Sequence, residues 1–216
     1  MATHDVTRLL FIRHGKQLST SERSAADRHD PPLSEQGRHQ AAKRAEELQT
    51  ELGSVAPLFI VSSPMRRALM TAQPAVMALN ATLNVHGACF EYGCAGADFS
   101  GSGKDAILAE TPHATLTHLG PNGEWGYKGS SAQESEAEAR QRARSVVSWL
   151  RGEAVPQARG GAVVLFAHQT FLDLLVQLLL TGSDVSWSYG MPKHKLAHTG
   201  VVRVKVHADG RVEEHQ

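Results

Sequence analysis

Four residues with phosphoryl-handling chemistry follow three apolar runs of the chain. Arg13 and His14 come directly after the first run, Arg66 comes shortly after the second, and His168 follows the third, at 162–166. If these runs are parallel strands, their carboxyl ends meet at the sheet edge where open α/β folds bind ligands. Two guanidinium groups and two imidazoles at such an edge suit a dianionic phosphoryl group.

A neutral imidazole aimed along the in-line axis can itself be the nucleophile and carry the phosphoryl group. Arginines then stabilise the charge on the transferring group, and a carboxylic acid must protonate the leaving oxygen. Glu91 is the candidate acid, because it follows a strand predicted at 82–88 and opens a long polar segment. A metal site built from His14, His168 and a third histidine is disfavoured, because two arginines would repel the cation. We therefore predict neither a metal nor a cofactor.

The position of Arg66 depends on the helix that follows the second run. Ser63 can cap this helix and Pro64 can occupy its first turn, which places Arg66 in that turn. A cation at a helix N-terminus is unfavourable unless an anion lies beside it. The alternative is that Arg66 or Arg67 simply projects into water.

The order of the elements predicts an α/β fold. Apolar runs at 9–12, 58–61 and 162–166 alternate with amphipathic helices, which favours a three-layer sandwich with a mostly parallel central sheet and helices on both faces. The final alternating segment, 200–206, can form a hairpin with 211–214. Pro74 should kink the second helix or shift its end.

Two further segments give more specific expectations. Ser131 and Glu134 have the spacing of a capping box for the helix that continues to about residue 150. The stretch 92–131 lacks a sustained hydrophobic period and is predicted to be a long loop that covers the site, with one short helix near 104–109. The chain of 216 residues is otherwise expected to form a single domain, 1–216, with two small domains as the weaker alternative.

Composition excludes several classes of function. Basic and acidic residues number 22 each, so no net charge attracts nucleic acid or an anionic membrane. Cys89 and Cys94 are too few for a disulfide framework and are expected to be reduced thiols. The start of the chain lacks the pattern of a signal peptide, and no apolar run is long enough to span a bilayer. These features predict a cytoplasmic protein and leave its oligomeric state open.

Four motifs in order resemble the histidine phosphatase superfamily, the phosphoglycerate mutase-like group called branch 1. They are Leu10-Phe11-Ile12-Arg13-His14-Gly15, Pro32-Leu33-Ser34-Glu35-Gln36-Gly37 with Gln40-Ala41, Ser62-Ser63-Pro64-Met65-Arg66-Arg67-Ala68 with Thr71-Ala72, and Phe166-Ala167-His168. The resemblance implies a phosphoglycerate mutase-like fold and a phosphorylated nucleophile at His14.

The resemblance also implies the partners of His14. Arg13, Arg66 and His168 would complete the phosphate pocket, with Ser63 as support and Glu91 as proton donor. Glu110, Glu124 or Asp98 could replace Glu91, because the motif around the acid is short.

Three positions depart from the usual family pattern. Lys16 stands where many members carry Glu or Gln, Thr20 stands near a frequent Asn, and Gln169 replaces a common Gly. Thr20 would then supply a hydroxyl to the phosphate site. Gln169 would supply a backbone amide, while its side chain could narrow the pocket.

Three functions are compatible with these residues. Hydrolysis of a phosphomonoester is favoured over phosphoglycerate mutase-type transfer, because neither 19–30 nor 92–130 resembles the corresponding mutase segments. The third is a module that binds phosphorylated ligands without turnover. The expected partner is a small phosphorylated substrate, although a phosphoprotein presents the same terminal group.

Overall fold

A computed structural model of the chain describes residues 6–93, 103–121, 123–126, 133–182, 187 and 189–215. The described strands form one sheet in the order β4-β3-β2-β5-β1-β6-β7. They are β1 (Val6–Arg13), β2 (Leu58–Ser62), β3 (Leu83–His86), β4 (Thr115–Thr117), β5 (Ala162–Ala167), β6 (Val201–His207) and β7 (Val212–His215). The first five run parallel, and the hairpin β6–β7 joins β1 antiparallel. The predicted mostly parallel sheet and its terminal hairpin are confirmed.

Helices cover both faces of this sheet, as predicted. They are α1 (Glu35–Leu52), α2 (Arg66–Ala78), α3 (Gly103–Glu110), α4 (Glu136–Trp149), α5 (Val155–Gln157) and α6 (Gln169–Thr181). Alternate side chains of β1 show the layering: Leu9 and Phe11 pack with α4 and α6, whereas Leu10 and Ile12 pack with α1 and α2. Successive side chains of a strand point to opposite faces, so β1 is buried on both.

Local predictions differ from the structure at two helix starts. The capping box of α4 is formed by Ser135 and Glu138, not by Ser131 and Glu134. Ser131 lies outside the described residues, and Glu134 binds Arg142 through its carboxylate instead. The second helix starts at Arg66 rather than beside Ser63, and it continues past Pro74 to Ala78.

The described part of the segment 92–131 contains regular secondary structure, whereas the sequence predicts mostly loop. It contains α3, close to the predicted short helix, and β4, which pairs parallel with β3 at the sheet edge. The three residues of β4, Thr-Leu-Thr, are too few to give a recognisable period. Cys89 is a buried free thiol, and Cys94 lies outside the described residues.

Candidate active site

Neighbouring strands bring the two predicted histidines together. The His14 amide donates to the Ala167 carbonyl at 2.9 Å, and the Ser63 amide donates to the Phe166 carbonyl at 2.9 Å. Ala167 and Phe166 belong to β5, which lies between β1 and β2. His14 and Ser63 therefore flank His168 at the carboxyl edge of the sheet, where three strands end together.

Both ring nitrogens of His14 have partners that fix its tautomer. Nδ1 lies 2.7 Å from the Gly15 carbonyl oxygen, which can only accept, so Nδ1 carries the proton. Nε2 lies 3.2 Å from Nε of Arg67, which can only donate, so Nε2 keeps its lone pair. Burial first, and then the charge of Arg67, hold the pKa of His14 well below its ordinary value. His14 is thus a neutral imidazole with an unprotonated Nε2.

The second imidazole lies beside the first. The ring centroids of His168 and His14 are 5.1 Å apart. Nε2 of His168 lies 2.8 Å from Ser63 Oγ, and this oxygen accepts from the Met65 amide at 3.2 Å. Burial, followed by the charge of Arg67, holds the pKa of His168 well below its ordinary value. The sequence predicts a substrate contact for Ser63, whereas its fully buried hydroxyl orients His168.

The guanidinium that reaches His14 belongs to Arg67, so the prediction of Arg66 at this place is wrong. Arg67 is 5% exposed, whereas the Arg66 side chain is 40% exposed and pairs with Asp27 and Glu110. Successive side chains on a helix are about 100° apart, so the two arginines cannot face the same way. The start of α2 turns Arg67 toward the histidines and Arg66 toward the rim.

The anion that the sequence predicts beside Arg66 comes from the chain itself. The Arg66 amide donates to both carboxylate oxygens of Asp30, at 3.0 and 3.1 Å, so Asp30 caps α2. The Arg66 guanidinium donates to Asp27 at 2.9 Å and to Glu110 at 2.5 Å. Arg66 therefore links the loop after β1 to α3.

Glu91 lies at the N-terminus of α6. Its Oε1 accepts from the Tyr92 amide at 2.8 Å and the Phe171 amide at 2.9 Å. Among the residues that the structure describes, its Oε2 accepts from the Thr170 amide alone, at 3.2 Å. Burial raises the pKa of Glu91, although these amides and the charge of Arg67 act in the opposite direction. Oε2 is the less engaged oxygen, so it is the one that can carry a transferable proton.

One alternative acid is placed less favourably, because Glu110 is paired with Arg66. Glu124 lies in a turn in which the Gly120 amide donates to the Glu124 backbone carbonyl at 2.8 Å. Asp98 lies outside the described residues. Glu91, in contrast, interacts electrostatically with both Arg13 and Arg67.

Gln169 holds a loop rather than narrowing the pocket. Its Nε2 donates to the His194 carbonyl at 2.6 Å, and its Oε1 accepts from the Leu196 amide at 2.7 Å. Arg13 donates to the Leu196 carbonyl at 2.8 Å. These contacts fix the segment before β6, which carries His198 to a ring-centroid distance of 5.9 Å from His14.

Sequence reasoning missed His198, although a signal was available. Because β6 runs antiparallel to β1, its beginning lies at the edge where β1 ends. A prediction that the first strand of the final hairpin pairs antiparallel with β1 would therefore have placed the residues just before 201 near His14. Burial, followed by the charge of Arg13, lowers the pKa of His198.

The start of α1 supports the loop after His14. The Ser34 hydroxyl donates to the Lys16 carbonyl at 3.0 Å, and a Cβ on Gly37 would lie 2.0 Å from that carbonyl oxygen, which explains the glycine. Lys16 Nζ donates to the Gln36 side chain at 2.9 Å. Thr20 is exposed, and no hydrogen bond among the described residues links its hydroxyl to the histidine pair.

A sequence model of the histidine phosphatase superfamily (branch 1) matches residues 9–215. The chain belongs to this superfamily. The match spans all strands of the sheet except the first residues of β1, so the family relationship covers the whole site. Comparison with curated proteins gives no significant match.

Solved structures of a mycobacterial hydrolase and of two phosphatases share the fold. The chain is 26% identical to mycobacterial hydrolase 1, with a TM-score of 0.62, covering 98% of this chain and 97% of that one. It is also 26% identical to a mycobacterial glucosyl-3-phosphoglycerate phosphatase in complex with VO3, with a TM-score of 0.63 and 97% coverage of both chains. An ecdysone phosphate phosphatase from Bombyx mori, in complex with tungstate, is 16% identical with a TM-score of 0.63, covering 92% of this chain and 88% of that one. The last of these shows the fold alone.

Two features are absent from the described residues. None of their helices combines the length and the hydrophobicity that a bilayer crossing requires. In the same part of the chain, no group of three or more His, Cys, Asp or Glu side chains could hold a metal ion.

Proposed function

We propose that this histidine phosphatase superfamily member hydrolyses phosphomonoesters without a metal, through a phosphohistidine on Nε2 of His14. The observation that carries the proposal is the fixed tautomer of His14, whose Nε2 lone pair faces a guanidinium. A nucleophilic imidazole needs that lone pair, and a phosphoryl group needs the adjacent positive charge.

In the first half-reaction, Nε2 forms a bond to phosphorus while the bond to the leaving oxygen breaks. Arg67 donates a hydrogen bond to Nε2 before substrate binds. It then donates this hydrogen bond to a phosphoryl oxygen instead and keeps its proton. Glu91 Oε2 gives its proton to the leaving oxygen, and the raised pKa of Glu91 favours the protonated form that this step requires.

In the second half-reaction, the Glu91 carboxylate takes a proton from water while the water oxygen attacks phosphorus. The P–N bond breaks, and its electron pair returns to Nε2 of His14. Arg13, Arg67 and His168 stabilise the charge on the phosphoryl oxygens in both steps. Two fixed guanidinium groups supply the positive charge that a metal would otherwise provide.

The substrate class follows from the relatives. The protein named glucosyl-3-phosphoglycerate phosphatase acts on a small phosphorylated molecule, and we propose the same class for this chain. The VO3 in that structure is a phosphate-like oxyanion, and we propose that Arg13, Arg67 and the two imidazoles of this chain hold a group of that kind.

The test is to trap the intermediate. Rapid acid-free denaturation during turnover of a ³²P-labelled phosphomonoester should leave label on the wild type and none on His14→Ala. The label should be stable in base and labile in acid, as expected for a phosphoramidate. Activity retained by His14→Ala would refute the nucleophile.

The same protein preparation separates the alternatives. Release of inorganic phosphate from a panel of phosphomonoesters identifies a hydrolase, whereas turnover of 3-phosphoglycerate without phosphate release would identify a mutase. Binding of phosphate without label or release would indicate a module that has lost turnover.

A further inference from the structure

We propose that Arg142, on α4, is a positioning residue that holds Glu91 in place for proton transfer, with Glu134 as its fixed counter-ion. The inference rests on the proposed function, because it concerns the acid of that reaction. Arg142 touches neither substrate nor reacting atoms and acts through the chain on both sides of Glu91.

The Arg142 side chain is enclosed, and each of its three nitrogens donates at least one hydrogen bond. It is 11% exposed, and the Glu134 side chain is 2% exposed. Nε and Nη2 of Arg142 donate to the two Glu134 oxygens at 2.7 and 2.6 Å. Such a bidentate pair fixes the plane and direction of a guanidinium, whereas a single contact leaves it free to rotate.

The remaining nitrogen of Arg142, Nη1, is hydrogen-bonded to the backbone segment that carries Glu91. Nη1 donates to the Ala88 carbonyl at 2.8 Å and to the Phe90 carbonyl at 2.9 Å. Phe90 is the residue immediately before Glu91, so these two bonds fix the backbone from which the carboxylic acid projects.

The faces of the guanidinium contact both anchoring points of Glu91. It lies 3.7 Å from the centroid of the Phe90 ring and 4.5 Å from that of Phe171. The Phe171 amide is the donor that binds Glu91 Oε1 at 2.9 Å. Arg142 thus joins the residue before Glu91 to the helix start that receives its carboxylate.

Lysine cannot reproduce this set of contacts. Its ammonium keeps the charge but has no planar fork for Glu134 and no flat face for two rings. Arg142→Lys should therefore preserve the local charge while releasing Glu91. A displacement of about 1 Å can cost on the order of 100-fold in rate, within the range that general acid catalysis contributes, about 10²–10⁴-fold.

The test uses two substrates that differ in their need for the acid. Phenyl phosphate must receive a proton as it leaves, whereas dinitrophenolate leaves without one. We expect Arg142→Lys to lower kcat/KM for phenyl phosphate by about 10–100-fold and kcat/KM for dinitrophenyl phosphate much less. The comparison uses kcat/KM because it reports the steps up to phosphorylation of His14 and not the later attack by water, which needs Glu91 with either substrate. Arg140→Lys is the matched control, since Arg140 lies on the same helix and binds Glu136 and the Trp187 carbonyl at its surface.

A purely structural role for Arg142 would lower both rates by the same factor, and that result would overturn the inference. So would a phenyl phosphate rate equal to that of Arg140→Lys. Glu134→Gln, which keeps one acceptor for Arg142, gives the same comparison of rates if the lysine variant does not fold. Wild-type protein that hydrolyses neither substrate would instead contradict the proposed function.

Discussion

The two adjacent arginines of α2 give a sharp test of the site. Arg67 donates to Nε2 of His14 at 3.2 Å and is 5% exposed, so Arg67→Ala removes an enclosed cation from the phosphoryl position. Loss of one preorganised donor to a developing anion typically costs about 10²–10³-fold in kcat, or about 2.7–4 kcal/mol. We expect Arg67→Ala to fall in or above this range.

Arg66→Ala is the matched control, one residue away. Its guanidinium is 40% exposed and pairs with Asp27 and Glu110 at the rim. Exposed ion pairs contribute about 0.2–1 kcal/mol each to folding stability, so Arg66→Ala should cost little stability. Because Arg66 does not reach His14, the variant should lose far less activity than Arg67→Ala. The assay is kcat/KM for an aryl phosphate, with thermal unfolding of each variant to verify folding.

The pH profile gives a second readout of Arg67. Its charge is the second-largest cause that lowers the pKa of His14, so its removal should raise that pKa. Below its pKa, His14 is protonated and lacks the nucleophilic lone pair, and the acid limb should therefore move to higher pH in Arg67→Ala. A larger activity loss in Arg66→Ala, or an acid limb that does not move, would refute this account.

Three further outcomes are expected. The pKa values of His14 and His168 are held well below 6.5 in the folded protein, so below pH 6.5 the unfolded chain binds more protons than the folded one. The free energy of unfolding should therefore fall as the pH falls below 6.5, by up to about 1.4 kcal/mol per pH unit for each ring. A free energy of unfolding in urea that stays constant across this window would contradict the expectation. Gly37→Ala forces a Cβ to 2.0 Å from a carbonyl oxygen and should destabilise by about 1–3 kcal/mol, whereas Gly152→Ala, with nothing within 4 Å, should leave the unfolding temperature unchanged or raise it. Gln169→Ala removes two hydrogen bonds to the 194–196 backbone and should speed amide hydrogen exchange there. Unchanged exchange would show that the Gln169 side chain does not hold this segment.

Much of the fold could be predicted because the strands are buried on both faces. Such strands read as continuous apolar runs, so β1, β2 and β5 and the residues just beyond them are visible in the sequence. The stripe Ala41, Ala45, Leu48 and Leu52 likewise predicts the inner face of α1, and all four are buried.

Prediction failed where a shift of one residue in the start of a helix decides which side chain faces the site. The choice between Arg66 and Arg67 depends on where α2 begins, and helix ends are the least certain feature of a sequence. The apolar stripe of α2 held the information, because Ala68, Thr71 and Ala75 are buried with Arg67. The contacts of Glu91 required the tertiary structure, since its amide partners on α6 are about 80 residues away in sequence.

The electrostatics of the site follow from what burial does to each group. Burial keeps both imidazoles neutral and raises the pKa of Glu91, but it cannot remove the charge of an arginine. Arg13 and Arg67 therefore remain cations at the edge of the sheet, opposed mainly by a carboxyl group whose own ionisation is disfavoured. In the proposed mechanism, a dianionic phosphoryl group supplies the missing negative charge. Its binding then frees the Nε2 lone pair of His14, because the Arg67 guanidinium that donates to Nε2 turns to the phosphoryl oxygens.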